Sequence, residues 1–106
     1  MQSTERGPQS LARQEAAFSL GQLGYRSAVP ALVQSMQADA STIVRHESAV
    51  ALSSIGGYGI IPELEKAIGD RDEDVSNSAL IASDYLTYLK KKGQASAGTV
   101  KPRIRL

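Results

Sequence analysis

Three residues of this chain bring chemistry that packing alone does not require: Glu15, His46 and Glu47. Together they offer two carboxylates and one imidazole, a donor set suited to iron or manganese. Other routes to catalysis have less support. His46 is the single histidine and is already placed among carboxylates, so no Ser-His-Asp arrangement presents itself. There is no cysteine, which excludes disulfides and thiolate metal sites. Gly56, Gly57 and Gly59 are turn residues and not a phosphate loop, because no strand precedes them and no lysine follows in place. A lone helical histidine is more often a half-buried residue without a ligand, and glutamates are common near helix starts because they stabilise them. The metal reading is strengthened by the recurrence of Glu15 and Glu47 in register, beside His46.

That register comes from an internal repeat. Sliding the sequence by 32 residues sets Arg13 on Arg45, Glu15 on Glu47, Ala17 on Ala49, Leu20 on Leu52, Gly24 on Gly56, Pro30 on Pro62 and Leu32 on Leu64. A weaker third copy, offset by 31, sets Val44 on Val75, Ala51 on Ala82 and Ile55 on Leu86. Matches at one offset, on apolar and breaker residues alike, mark tandem units. Each unit reads as helix, turn, helix. The first helix is predicted over about Gln9 to Leu23 and is ended by Gly24. Ser27 is a plausible cap for the second, with Pro30 in its first turn and Val29, Leu32, Val33 and Met36 as its apolar stripe. Ser41 or Thr42 caps a third, Ile43 to Ile55, which places His46 and Glu47 in its first turn. A fourth helix runs near Ile61 to Ile68 and a fifth over roughly Val75 to Lys92, with Lys90, Lys91 and Lys92 suiting the negative end of its dipole.

The expected architecture is all-α: a short solenoid of the HEAT type, with five helices in about two and a half repeats and no strand. Repeats of about 9–40, 41–72 and 73–92 make a domain over 9–92, between a disordered N-terminus at 1–8 and a basic flexible tail at 93–106. Such units bury their apolar faces only by stacking, so this length is near a practical minimum. The chain therefore either dimerises, belongs to something longer, or is marginally stable. Arg13 and Arg45 have a structural explanation, because Asp39 and Asp70 in the loops are available to pair with them. Equivalent positions on neighbouring helices lie roughly 8–10 Å apart. Side chains of Glu15, His46 and Glu47 reaching across that gap are expected to meet at a common point.

Bulk composition narrows the classes. At 106 residues, with 42% hydrophobic and 5% aromatic residues, the chain is at most one domain, built mainly of small aliphatics. A net charge of +1 gives no field toward nucleic acid or membrane. No apolar run approaches the roughly 18 residues a bilayer span needs, and Met1 to Arg6 has no apolar signal stretch. A soluble cytoplasmic protein is the expectation. Lys90 to Lys92 and the basic tail lack the aromatic residues that stack on bases, so no nucleic-acid partner is expected. Tyr85 and Tyr88 are expected to pack against the preceding repeat.

Around Arg45-His46-Glu47 the chain resembles a known family. The stretches Gly21-Gln22-Leu23, Ala28-Val29-Pro30, Val44-Arg45-His46-Glu47-Ser48-Ala49-Val50-Ala51-Leu52 and Ser78-Ala79-Leu80-Ile81-Ala82-Ser83-Asp84-Tyr85 are similar to the C-terminal half of deoxyhypusine hydroxylase. The resemblance covers about Leu11 to Leu89, and the His-Glu dyad is its most specific part. It implies two HEAT-repeat halves facing each other, each giving two His-Glu dyads to a di-iron (Fe2+) centre. That centre activates dioxygen and hydroxylates deoxyhypusine on a translation initiation factor. On this chain the second dyad of one half falls on His46-Glu47 and the first on Gln14-Glu15. Gln14 departs from the pattern, since a neutral amide is a poorer iron ligand than imidazole. The half that would carry the opposing dyads is absent from the sequence. Three donors cannot hold two irons about 3.5–4 Å apart, so a homodimer or a missing second half would have to complete the site. Two other readings compete: a non-enzymatic HEAT-repeat module that grips a protein partner, and, more weakly, a lyase or chaperone for a tetrapyrrole.

Overall fold

A computed structural model describes residues 8–96, and among them there are five α-helices and no strand. They are α1 (Pro8–Leu23), α2 (Val29–Ala38), α3 (Thr42–Ile55), α4 (Ile61–Ala67) and α5 (Glu73–Ser96). Helices α1, α3 and α5 lie side by side in one layer, while α2 and α4 back onto α3 and α5 as the second. The core runs between the layers. Met36 of α2, Leu52 of α3, Leu64 of α4 and Leu86 of α5 are almost wholly shielded from water, with Ala17, Ala49, Ala79 and Ala82 filling the narrow gaps between helices of one layer. The repeat register is thus a packing register: each matched aliphatic occupies the same inward position on successive helices.

The breakers act where the sequence places them. Gly24 and Gly56 carry positive φ values of 70° and 83° just past the ends of α1 and α3. The Gly24 amide donates to the Leu20 carbonyl at 3.0 Å and the Gly56 amide to the Leu52 carbonyl at 2.9 Å, which closes each helix. Pro30 and Pro62 sit in the first turns of α2 and α4, where no amide is demanded.

Four local expectations are corrected. Ser27 is no cap: a short 3-10 turn over Arg26–Ala28 leads straight into α2, whose cap position is Ala28 with no side-chain bond. Helix α3 starts at Thr42, because the Ser41 hydroxyl accepts from the Val44 amide. His46 and Glu47 therefore stand one residue further in than expected, past the free amides of the helix start. Helix α5 begins at Glu73 and continues through Gly93 to Ser96, so Lys90 to Lys92 are not at its end. Finally, Tyr85 and Tyr88 are exposed, and the Lys92 ammonium lies 5.9 Å from the Tyr88 ring centre. Helix α5 buries Val75, Ala79, Ala82, Ser83 and Leu86, and the two tyrosines sit on its other side. Of the termini expected at 1–8 and 93–106, Pro8 opens α1 and 93–96 close α5, while residues 1–7 and 97–106 lie outside the described residues.

Candidate metal site

Two kinds of polar residue emerge from the repeat, and they do different things. The arginines hold the loops. The Arg13 guanidinium donates through Nε to Asp39 Oδ2 at 2.8 Å and through Nη2 to Oδ1 at 3.0 Å. One repeat on, Arg45 makes the same fork to Asp70, at 2.9 and 3.3 Å, and its Nη1 donates to the Asp39 carbonyl at 2.8 Å. Arg45 thus ties both inter-repeat loops to α3, with its side chain only 6% exposed. Burial pushes the Asp70 carboxyl up. The Arg45 hydrogen bonds, the Asp72 amide and the charges of Arg45 and Arg71 outweigh it and hold the group below the ordinary carboxylate value. Asp39 behaves alike: burial raises it, and Arg13, the Ser41 amide and the charge of Arg45 bring it lower.

His46 and Glu47 lie elsewhere and face different neighbours. His46 is half-buried on the α5 side of α3, where its Nδ1 lies 2.8 Å from the Ser78 hydroxyl. Its ring edges a shallow groove shared with Thr42, Ile43, Asp72 and Asp74. Glu47 lines a different depression, on the α1 side, with Phe18, Gln22, Val50 and Ser54. Glu15 is exposed on α1, and Gln14 beside it is half-buried. Successive helical residues are turned by about 100°, so the two members of the dyad point to opposite neighbours. Among the described residues, no three His, Asp or Glu side chains gather closely enough to hold a metal ion. The common point expected from the sequence is not formed within this chain.

Imidazole and carboxylate are the right donor types for iron, but one histidine and two carboxylates that do not gather with it make no centre. This chain alone does not fit one.

Ser78 was not singled out from the sequence as a residue with a role, yet it makes the one side-chain hydrogen bond that His46 has among the described residues. The signal was present in the weaker third copy: an offset of 31 from Glu47 falls on Ser78. The layer also carries exposed apolar side chains in repeat register, Phe18, Val50 and Ile81, at 47%, 40% and 68% exposure. They form a row next to the one begun by Glu15 and Glu47.

A layered stack of two-helix units, with an arginine–aspartate fork repeated at each inter-unit loop, defines the class. The family model for HEAT repeats matches residues 1–83, and the chain belongs to that family. Within it, the chain is similar to deoxyhypusine hydroxylases. It is 36% identical over 96 residues to the deoxyhypusine hydroxylase of Aspergillus fumigatus, covering 88% of this chain and 28% of the relative. To that of Eremothecium gossypii it is 38% identical over 82 residues, 76% of this chain and 26% of the relative. To that of Neurospora crassa it is 36% identical over 88 residues, with 81% and 27% covered. The chain spans little more than a quarter of the length of these curated relatives. No solved structure gives a significant match.

Proposed function

We propose that this chain is a deoxyhypusine hydroxylase-like HEAT-repeat segment that supplies one wall of an iron-dependent site acting on deoxyhypusine of a translation initiation factor, in the cytoplasm. The observation that carries the reading is the His46-Glu47 dyad, with Glu15 one repeat earlier, set in a chain similar to enzymes of that name. Because its own donors are too few and do not gather at one point, the other wall comes from elsewhere: a second copy of the chain or a second HEAT-repeat segment. No helix among the described residues is long and apolar enough to cross a membrane.

The exposed face suits the work assigned to it. A deoxyhypusine side chain is a cationic amine on a methylene stem. The depression beside Glu47, walled by Phe18 and Val50, offers apolar walls for such a stem. Iron, when bound between two walls, would supply the oxidising chemistry. What this chain's residues do is hold His46 and Glu47 on rigid helices and exclude water along the apolar row.

A second reading rests on Gln14. A position that should carry imidazole carries an amide, which fits a HEAT-repeat module that binds a protein partner without metal. A graft separates the two. When this chain replaces the matching segment of the Aspergillus fumigatus enzyme, the hybrid is expected to hydroxylate deoxyhypusine weakly, and Gln14→His is expected to raise its turnover. A hybrid that folds like its parent yet stays inactive both with glutamine and with histidine at that position would favour the module.

A further inference from the structure

His46 is held by something the metal reading does not use. Its Nδ1 is 2.8 Å from Ser78 Oγ, a bond between residues 32 apart that joins α3 to α5. Both side chains are half-buried, so water competes poorly for the contact. Neither Nε2 of His46 nor the Ser78 hydroxyl has any other hydrogen-bond partner among the described residues. We infer that Ser78 is a positioning residue: it occupies Nδ1 and turns the ring so that Nε2 is the one nitrogen His46 offers to a ligand or a partner.

A hydroxyl suits this task better than a carbonyl or a carboxylate would. An imidazole nitrogen is a donor in one tautomer and an acceptor in the other, and a carbonyl in place of Ser78 could only accept. Serine does both. It can donate to Nδ1 when the ring proton sits on Nε2, and accept from Nδ1–H when the proton sits there. A ligand or an alkylating agent takes the Nε2 lone pair of the second tautomer, in which Nδ1–H donates to Oγ and the hydroxyl hydrogen turns to solvent. The ring orientation is the same in both states. Fixing a ligand imidazole through its second nitrogen is the usual way a protein decides which nitrogen binds. The restraint comes from the third repeat, which otherwise contributes no donor to the dyads.

What the positioning is for rests on the function proposed above, but the positioning itself can be tested without metal. The chain has one histidine and no cysteine, so alkylation by iodoacetamide at mildly alkaline pH, followed by separation of the two ring isomers, reads His46 alone. The folded full-length chain is expected to be modified at Nε2, with roughly five- to tenfold more selectivity than the same chain unfolded in urea. Ser78→Ala should bring the folded ratio close to that of the unfolded chain, and Ser78→Thr should restore the selectivity. Equal isomer ratios in the folded and unfolded wild type would overturn the assignment, even if Ser78→Ala does not fold. Nε2 selectivity in the chain together with an iron-free graft would leave Ser78 in its role and remove the hydroxylase reading. An iron-loaded graft with no selectivity would do the reverse.

Discussion

Arg45→Ala is expected to cost about 3–5 kcal/mol of folding stability, a large share of what a domain of this size holds. The size follows from what the side chain leaves behind. Asp70, whose side chain is 11% exposed, would lose both arms of its fork, and the carbonyls of Asp39 and Ala40 would lose their donor. A carboxylate stranded in that setting is far costlier than the pair is worth intact. The double variant Arg45→Ala/Asp70→Ala should therefore lose less than the sum of the single changes in urea unfolding. Arg13→Ala removes a fork whose arginine is 38% exposed, and the loss should stay within about 1 kcal/mol. Acid should act on the same pairs. The carboxyls of Asp39 and Asp70 sit below their unfolded values, so their contribution is present at neutral pH. It is lost as pH falls from about 4 through the folded values. Stability that is flat from neutral pH down to pH of about 2 would show that the forks do not join the repeats.

Gly21→Val should be almost as damaging, and Gly21→Ala is the sharper test. In an exposed helix, glycine to alanine stabilises by up to about 1 kcal/mol. Here the sign reverses. A Cβ on Gly21 would lie 2.8 Å from the Cα and 2.9 Å from the Cβ of Ala51. Neither atom belongs to a flexible side chain that could swing away. α1 and α3 cross at this point, and the only relief is to part them. Alanine is expected to destabilise by about 1–3 kcal/mol, with valine at or beyond the upper end. The crossing also bears on the face of the layer, because α1 carries Glu15 and α3 carries Glu47. Urea unfolding of the two variants decides the matter, and an alanine variant as stable as the wild type would mean that the helices do not approach this closely.

The fold was legible because its determinants are periodic. The aliphatics at an offset of 32, with Gly24 and Gly56 after them, prescribe helices that end and stack at fixed intervals, and the arginines could be assigned to Asp39 and Asp70 from the loops alone. The candidate site was legible in kind but not in direction. A repeat match pairs Glu15 with Glu47 and sets His46 beside them, but it carries no information about rotation around the helix. His46 and Glu47 are neighbours in sequence, yet the helical turn sends one toward α5 and the other toward α1. Ser41 draws Thr42 into α3 and sets the dyad beyond the first turn, which removes the free amides and dipole end that had favoured a carboxylate there. Tyr85 and Tyr88 were expected against the preceding repeat, but Val75, Ala79, Ala82 and Leu86 take the buried face of α5 and leave the tyrosines exposed.

The account is tested most directly by the iron content of the purified graft in which this chain replaces its counterpart in the Aspergillus fumigatus enzyme, measured with and without His46→Ala. One wall that contributes His46 and Glu47 predicts iron in the graft and its loss in the His46→Ala form, with both proteins equally folded. Iron retained in full by the His46→Ala form, or absent from a folded graft in either form, would contradict it.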